Sequence, residues 1–414
     1  MLGFILADLR RSWPGALAIC VIIALATALG VTVTLQERAL RLGSARAADA
    51  FDLVIGGPVS ETQLVLSAVF LQPAPLPLLP GDVMARLLAD PRVAWAAPVG
   101  FGDAHEGLPV VGTTEALIDG LGGLASGATL ARLGDAVIGA EVPMAPGDSF
   151  HPVHAELGGA GEVHGETRYT VRGRLKPTGT PWDRAILVPI EAVWAVHAHH
   201  PGQADATSPR AGDGEDHHGA FDPAAPVDPA ALADPASPGV PAIIVRGVRV
   251  ADAYNLRQQY RATRTTAVFP AEVLTRLYGT LGDARMVLAT VALAAQSLVA
   301  ASVLLVVVVH VLQRARQIGA LRAFGAGRGV VFLIVWGEVA LIAVAGVGLG
   351  FALGYAAARV ISARLRAASG LRLPVEFAPG DFGLLLGLLA AAGLCALLPA
   401  AIAYRQSPAA ALRG

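Results

Sequence analysis

The chain contains, from Val330 to Ala358, the stretch VVFLIVWGEVALIAVAGVGLGFALGYAAA, in which Glu338 is the only charged residue. This stretch exceeds the ~20 mostly apolar residues that an α-helix needs to cross the ~30 Å hydrocarbon core of a bilayer. Three more stretches reach that length: Trp13–Leu35, Met286–Leu312 and Phe382–Tyr404. The sequence therefore predicts a membrane protein with four transmembrane α-helices, one near the N-terminus and three in the last third of the chain.

The overall composition agrees with membrane helices that share the chain with a large polar part. Hydrophobic residues make up 54% of the chain and charged residues 15%, and the mean hydropathy is +0.57. The formal net charge of −1 does not favour a nucleic-acid partner. Cys20 and Cys395 both fall in predicted membrane helices, so we expect no disulfide in the polar part.

The first apolar stretch has an alternative interpretation as a signal peptide, because Arg10 and Arg11 precede it. A signal-peptide core spans about 7–15 residues, and Trp13–Leu35 is longer than that. We interpret residues 1–35 as a cytoplasmic N-terminus followed by an uncleaved membrane helix.

Residues 36–285 have the pattern of a soluble α+β domain. Short apolar or alternating runs bounded by Gly, Pro and Asp predict strands at Phe51–Ile55, Tyr169–Leu175, Ala185–Pro189 and Ala242–Arg246. Helical patterns that open on Pro, Asp or Glu predict helices at Pro80–Leu88, Glu191–His199, Val250–Tyr260 and Ala271–Leu281. Residues 201–241 contain almost no large apolar side chain. We expect a disordered insert there, because such a segment cannot bury enough surface to offset its ordering entropy.

Four spans would place both termini and residues 313–329 on one side of the membrane, and the 36–285 domain on the other. Cytoplasmic segments are enriched in Arg and Lys. The first side carries the larger set of arginines, namely Arg10, Arg11, Arg314, Arg316, Arg322, Arg328, Arg405 and Arg413. The opposite short loop weakens the bias, since it holds Arg359, Arg364, Arg366 and Arg372. We expect the termini in the cytoplasm and the large domain outside it.

The segment between the second and third predicted spans carries the clearest functional pattern. It reads LQRARQIGALRAFGAGR from Leu312 to Arg328. Ile318, Leu321 and Phe324 recur at every third position, which puts them on one face of a short helix, while Arg316 and Arg322 point elsewhere. By itself this pattern is typical of an amphipathic helix that lies in the membrane interface.

This segment resembles the cytoplasmic loop of MacB/FtsX-type ABC transporter permeases, whose pattern runs Arg-x-x-Glu-Ile-Gly-x-Leu-Arg-Ala-Leu-Gly-Ala. Gln317 stands here in place of the glutamate and Phe324 in place of the second leucine. The ending Pro399–Arg413 is similar to the family's Pro-x-x-Ala-Leu-Arg ending. Tyr169–Leu175, followed by TGTPWD at Thr178–Asp183, resembles the strand region of the family's periplasmic core domain.

The resemblance implies a non-catalytic permease subunit in a bacterial inner membrane, with its large domain in the periplasm and residues 286–414 forming an FtsX-like region. Two copies, as a homodimer or a heterodimer, would work with a separate cytoplasmic P-loop ATPase that docks on the 313–329 loop. The expected coupling residues are Arg316, Ile318, Leu321, Arg322 and Phe324. Membrane lipids and a periplasmic protein are further expected partners.

The sequence independently predicts that ATP acts only through a partner. A phosphate-binding P-loop needs Gly-Lys-Ser/Thr, because the lysine must reach the β- and γ-phosphates. Lys176 is the only lysine, and it lies between Leu175 and Pro177. The chain therefore has no P-loop, and we expect no cofactor of its own apart from the zinc considered below.

The third predicted span carries two features of interest. Gly346, Gly350 and Gly354 repeat at intervals of four, which lets another helix approach closely, as in GxxxG packing; the pattern leaves open whether that helix belongs to this chain or to a second copy. Glu338 lies about two turns into the span, where an ionisable group is costly. We interpret it as reaching the interface or pairing with Arg328 or Arg316, with a role in transport as the alternative.

Nine of the ten histidines fall in the 36–285 domain, so metal binding there is a hypothesis. The candidate ligands flank the acidic part of the insert: His197, His199, His200, His217 and His218. Imidazole and carboxylate groups suit zinc, although the spacing matches no closed tetrahedral site and a solvated loop is the alternative.

Two other functional classes stay open at this point. One is a membrane-anchored periplasmic metal-binding or sensor protein, or a permease whose transport is linked to zinc. The other is a membrane-tethered hydrolase. Within the permease interpretation the cargo is undetermined, since lipoprotein release, export of peptides or drugs, and activation of a cell-wall hydrolase use the same architecture.

Overall fold

The computed structural model describes residues 2–154, 167–197, 221–277 and 324–405, with a few isolated helical residues between 279 and 301. The chain forms two compact units. The helical unit comprises Met1–Arg41, Leu281–Arg364 and Leu373–Gly414. The α+β unit comprises Leu42–Thr280 together with Leu365–Arg372.

Two long helices dominate the described part of the helical unit. The first long helix is Trp13–Ala48 and the second long helix is Arg328–Ser369, with 36 and 42 residues. Both are long and apolar enough to cross a membrane. At 1.5 Å per residue they are about 54 and 63 Å long, well beyond the ~30 Å bilayer core. Each helix continues past its apolar stretch because the segment that follows is rich in Ala, Arg and Leu, which are strong helix formers.

The structure confirms a long apolar helix at each of these two predicted spans. Met286–Leu312 lies almost wholly outside the described residues. Over Phe382–Tyr404 the structure has two helices, Pro379–Cys395 and Leu397–Arg405, that meet at Ala396, so the helix there is interrupted and the predicted span stays a prediction. Pro399 explains the interruption, because its ring lacks an N–H and clashes with the carbonyl four residues earlier, that of Cys395.

The α+β unit is built on one mixed sheet of eleven strands. In chain order they are β1 Leu53–Gly56, β2 Val93–His105, β3 Leu108–Thr113, β4 Leu124–Gly127, β5 Asp135–Ile138, β6 Ser149–Phe150, β7 Val153–His154, β8 Tyr169–Leu175, β9 Ile186–Pro189, β10 Ala242–Gly247 and β11 Thr266–Val268. The main path runs β11-β1-β10-β2-β3-β9-β5-β8-β4. The pairs β3–β9 and β5–β8 are parallel, whereas β1 pairs antiparallel with both β10 and β11.

Apolar clusters cover both faces of this sheet. Val54 and Ile244 lie in one cluster together with Trp182, while Leu53 and Ile243 lie in another on the alternate side chains of the same strands. A strand buried on both faces reads as a continuous apolar run, as β1 and β10 do. β8 instead alternates, with its odd-numbered residues buried.

The helices of the α+β unit are Glu61–Ala68, Gly81–Ala89, Glu115–Gly120, Ile190–His197 and Val250–Tyr260, with a further helical segment at 270–277. Three of these coincide, within about two residues, with helices predicted from the sequence. The segment at 270–277 begins with the fourth predicted helix, Ala271–Leu281, whose last residues lie mostly outside the described part of the chain. The predicted strands are likewise present as β1, β8, β9 and β10. The α+β prediction is confirmed for the described residues.

Residues 221–241 differ from the predicted disordered insert, because they have a defined conformation against the domain. Pro223 and Ala225 accept hydrogen bonds from the backbone of Gly134 and Leu133 at 3.0 and 2.9 Å, and Val227 donates to Ala131 at 3.1 Å. Composition did not reveal this because backbone hydrogen bonds hold the segment, and its many prolines lower the entropy lost on ordering. Residues 201–220 lie outside the described part of the chain.

A buried carboxyl group near this segment generates the first prediction. Both carboxylate oxygens of Glu191, at the start of the helix Ile190–His197, are buried without a hydrogen-bond partner in another described residue. Burial raises the pKa of Glu191 above its ordinary value of 4.5, and the nearby Asp228 adds to the shift. The folded state therefore disfavours the ionised carboxylate. Glu191 lowers the free energy of unfolding more and more as the pH rises through 4.5.

We expect Glu191→Gln to stabilise the protein at pH 7 by about 1 kcal/mol or less, because the half-buried side chain is partly screened by solvent. This corresponds to roughly 2–4 °C in the unfolding midpoint. Thermal unfolding of both proteins at pH 7 and at about pH 4 measures the effect, and the difference should shrink at the lower pH. A difference that stays constant or grows on acidification would contradict the prediction.

Candidate functional site

The glycine stripe of the second long helix lies against the first long helix of the same chain. A Cβ atom placed on Gly350 would be 2.6 Å from the backbone oxygen of Ala24, and one on Gly354 would be 2.8 Å from that of Ala28. On Gly346 it would be 2.8 Å from Cβ of Ile23. Real Cβ atoms do not approach so closely, so only glycine permits this contact. The sequence left open whether the stripe contacts a helix of the same chain or of a second copy. In the structure the contact is made within one chain.

Polar groups and apolar clusters extend the contact along both helices. Thr32 Oγ1 donates a hydrogen bond to the backbone oxygen of Gly354 at 3.2 Å, and Ser362 Oγ lies 3.1 Å from Gln36 Oε1. Val31, Leu35 and Ala358 form a buried cluster there, and Ile19 packs with Ile342 farther along. Small residues and interhelical hydrogen bonds are the typical means of helix association in a bilayer, where the hydrophobic effect gives little driving force.

Glu338 lies on the same helix and is only 8% exposed. Its side chain is thus enclosed by the protein. Arg316, one of its two predicted partners, lies outside the described residues, and a role of Glu338 in transport stays a prediction.

A charged clamp joins the first long helix to the start of the helix Pro379–Cys395. Arg38 makes a bidentate pair with Asp381, with Nη1–Oδ2 at 2.6 Å and Nη2–Oδ1 at 2.8 Å. Arg38 Nη1 also donates to the backbone oxygen of Glu376 at 3.1 Å. Asp381 caps its own helix, since Oδ2 accepts from the N–H of Ala378 at 2.8 Å. Sequence reasoning missed this clamp, although an acidic residue three positions after the N-cap, here Ala378, is a recognisable capping signal.

Aromatic residues lie near this end of the second long helix. Tyr355 stacks on Phe377 with ring centroids 4.9 Å apart. Arg359 lies over the Tyr355 ring at 5.7 Å and donates to its hydroxyl at 3.0 Å. Aromatic and arginine side chains are typical of the membrane–water interface.

The TGTPWD stretch of the α+β unit forms a tightly bonded loop, the Asp183 loop (residues 178–184). The carboxylate of Asp183 is 1% exposed. It accepts hydrogen bonds from the N–H groups of Thr178 and Gly179, both at 2.7 Å, and from Thr178 Oγ1 at 2.8 Å. Trp182 is fully buried and packs near Phe51, with ring centroids 6.1 Å apart. The loop leads directly into β9 in the middle of the sheet.

Of the predicted coupling residues, Phe324 lies in the described part of the chain, while Arg316, Ile318, Leu321 and Arg322 lie outside it. Phe324 is 92% exposed. It precedes Gly325, whose φ of 98° marks a turn, and the second long helix begins at Arg328. An aromatic side chain so exposed beside a turn is available for contact with another surface.

The predicted metal ligands are largely beyond the described residues. His199, His200, His217 and His218 lie outside them, and His197 is the last residue of its helix. Among the described residues, no group of three or more His, Cys, Asp or Glu side chains has the arrangement of a metal site. Zinc binding by the histidine loop stays a prediction.

Comparison with known proteins identifies the C-terminal region. Residues 289–409 match the family model of the FtsX-like permease C-terminal region. This range includes the glycine stripe, the clamp residue Asp381 and the predicted coupling residues. The resemblance stated from the sequence is confirmed there, and the chain is a membrane protein with a permease region. No curated protein is significantly similar to the chain in sequence.

Two solved structures resemble part of the chain at low identity. The periplasmic region of MacB from Actinobacillus actinomycetemcomitans is 10% identical with a TM-score of 0.32, and the match covers 56% of this chain and 95% of that one. The extracellular domain of the noncanonic ABC-type transporter YknZ from Gram-positive bacteria is 11% identical with a TM-score of 0.30, covering 52% and 98%. Similarities at such low scores carry no argument, so the evidence for the family is the match of residues 289–409.

The glycine contact generates a prediction with an internal control. We expect Gly350→Val to destabilise the protein by about 1–3 kcal/mol, because the added carbons would force the two long helices apart. Gly348→Val is the matched control, since within the described part of the chain no atom outside its own helix backbone lies within 4 Å of the position of its Cβ. Thermal unfolding in lipid nanodiscs compares the two variants with the native protein. Equal losses in both variants would show that the valine harms the helix and not its contact.

Proposed function

We propose that this chain is the permease subunit of an ABC transporter, which transmits ATP-driven motion from a separate cytoplasmic ATPase to its own periplasmic domain. The observation that carries this proposal is the match of residues 289–409 to the FtsX-like permease region. The chain acts as a mechanical transmitter without catalysis of its own. Its lack of a P-loop lysine supports the need for a separate ATPase.

The proposed location is a bacterial inner membrane, crossed by four helices, with the termini in the cytoplasm. The 36–285 domain then lies in the periplasm. The arginine bias of the segments around residues 10, 316 and 405 supports this orientation. One arginine that opposes the bias, Arg366, pairs through its side chain with Glu141 of the α+β unit, so its place in the sequence has a structural reason independent of topology.

The proposed input surface is the 313–329 loop, where the ATPase docks. The exposure of Phe324 supports this role, because a side chain that is 92% exposed is free to contact a partner. In this proposal Ile318 and Leu321 lie on the same apolar face, and Arg316 and Arg322 contact acidic groups of the partner.

The proposed path of the motion is the pair of long helices. Close packing at the glycine stripe leaves no room for the helices to move independently at that point. Each helix is continuous into residues of the α+β unit, at Leu42–Ala48 and at Leu365–Ser369. A displacement along a helix is passed on along its axis because its backbone hydrogen bonds resist extension and compression.

The working unit in this proposal holds two permease copies, either identical or different, and two ATPase subunits. The cargo or mechanical target belongs to a class that the chain alone does not specify. A membrane-anchored sensor or a tethered hydrolase would need no ATPase. Co-purification of a P-loop ATPase with the full chain from native membranes therefore separates the permease from both alternatives.

The orientation is tested with reporter fusions. We expect a fusion at Gly161 to report a periplasmic location and a fusion at Gly327 a cytoplasmic one, because of the span count and the arginine bias. Alkaline phosphatase and a fluorescent protein that matures only in the cytoplasm give opposite signals at each position. A cytoplasmic signal at Gly161 would contradict both the topology and the permease proposal.

The input surface is tested at Phe324. We expect Phe324→Asp to weaken ATPase binding by roughly tenfold or more, because hot-spot aromatic residues contribute about 2 kcal/mol or more to an interface. Since Phe324 is almost fully exposed, the substitution should leave thermal stability unchanged. Phe324→Leu, which restores the family residue, is the matched control and should retain binding. Unchanged pull-down and stimulated hydrolysis for Phe324→Asp would contradict the docking role.

A further inference from the structure

The last turn of the second long helix and the residues after it belong to the α+β unit. This return segment, Leu365–Arg372, is assigned to that unit although the helix before it belongs to the helical unit. From the sequence alone, the same residues are expected to lie in a short loop between two spans. Its contacts within the α+β unit converge on the Asp183 loop, and they are of three kinds.

The first contact depends on a glycine at the helix end. Gly370 has φ 71°, in the left-handed region, and its N–H donates to the backbone oxygen of Arg366 at 2.8 Å. This is the usual way in which glycine ends a helix. A Cβ atom on Gly370 would lie 3.2 Å from the backbone oxygen of Thr180 and from Cα of Pro181. The helix end therefore packs closely on the Asp183 loop, and a Cβ at Gly370 would require the loop to shift by a few tenths of an ångström.

The second contact is a backbone hydrogen bond. The N–H of Arg372 donates to the backbone oxygen of Gly179 at 2.9 Å. Gly179 also has a positive φ, of 72°, and a Cβ on it would lie 3.3 Å from Cβ of Arg372. Left-handed glycines thus occur on both sides of this contact, where they allow the two backbones to approach closely.

The third contact is an ion pair between Arg366 and Glu141. Arg366 Nε donates to Glu141 Oε1 at 2.7 Å, and its Nη2 donates to the same oxygen. The backbone of Glu141 is itself tied to the loop, because its N–H donates to the backbone oxygen of Asp183 at 2.8 Å. All three contacts therefore reach the same loop. The first two touch it directly at Thr180 and Gly179, and the third reaches Asp183 through Glu141.

The Asp183 loop is built to resist deformation. Three donors hold the buried carboxylate of Asp183, and Trp182 anchors the loop in the main core cluster. A Cβ on Gly139 would lie 2.4 Å from the backbone of Asp183, so the chain at Gly139 also packs tightly against the loop. Such a loop passes a displacement to β9 and does not absorb it.

We propose that the return segment is the output attachment of the permease, through which the second long helix moves the α+β unit by pushing or pulling on the Asp183 loop. This inference rests on the proposed function, and it adds the point at which motion enters the domain. Gly370 is the positioning residue of the attachment, since it sets the close approach, and the Arg366–Glu141 pair fixes its direction.

The test uses the full chain in nanodiscs together with the P-loop ATPase that co-purifies with it. Hydrogen–deuterium exchange of backbone amides is compared in MgADP and in MgATP with orthovanadate, which arrests the ATPase. In the native protein we expect the nucleotide to change the exchange of peptides from residues 178–189, 328–364 and 365–372. In Gly370→Val we expect the change at 178–189 to be lost while the change at 328–364 and the ATPase binding are retained, because valine is strained at a positive φ and collides with the loop.

The matched control is Gly380→Val, since among the residues that the structure describes no atom beyond the neighbouring backbone lies within 4 Å of a Cβ there. This variant should keep the nucleotide-dependent change at residues 178–189. An undiminished change in Gly370→Val would overturn the inference and leave the proposed function intact. If no ATPase co-purifies, or if 313–329 and 328–364 do not respond to nucleotide in the native protein, the proposed function itself fails, and the inference fails with it.

A second set of variants applies if Gly370→Val does not fold. We expect Arg366→Glu to reduce the change at 178–189 through repulsion from Glu141, and the double variant Arg366→Glu with Glu141→Arg to restore it. Arg364→Glu, at an exposed arginine on the same helix, should have no effect. A reduction that the double variant does not restore, or an equal reduction in Arg364→Glu, would overturn the role of the ion pair in the attachment.

Discussion

The close approach of two backbones at Gly346, Gly350 and Gly354 is the contact on which the helical unit depends. In a bilayer, apolar side chains gain little from contact with each other, because lipid tails are equally apolar. Association must then come from dense packing and interhelical hydrogen bonds. Glycine supplies both at once, since it admits the partner helix to van der Waals contact and exposes backbone oxygens such as that of Gly354 to Thr32.

Other contacts in the helical unit are arranged around this pair. Trp336 Nε1 donates to the backbone oxygen of Gly393 at 3.1 Å, and Val331 and Val335 pack with Ala400. The Arg38–Asp381 clamp ties the first long helix to the same C-terminal helices. The Asp381 side chain is only 8% exposed. Removal of Arg38 would therefore strongly destabilise the protein, because the carboxylate would stay buried without a partner. The second long helix therefore has the first long helix and the C-terminal helices as its partners.

The arginines after Ala358 show how tertiary contacts can override a rule of sequence. Counted as charges, they weaken the expected orientation. In the structure the Arg359 side chain lies over the Tyr355 ring, and the Arg366 side chain pairs with Glu141. Two of the four arginine side chains thus have specific partners within the chain. A count of charges treats every arginine alike and has no access to such partners.

The sequence by itself determined the two long apolar helices, the alternation in β8, the buried runs of β1 and β10, and the glycine stripe, because each follows from a short-range period or from a single residue type. It also predicted the FtsX-like region from the 312–328 pattern. Only the tertiary structure decided which helix the stripe contacts, that residues 221–241 pack beside 131–134, and that Leu365–Arg372 rests on the Asp183 loop. These three features join residues far apart in the chain through backbone atoms and glycines, and backbone contacts leave almost no trace in the identities of the side chains.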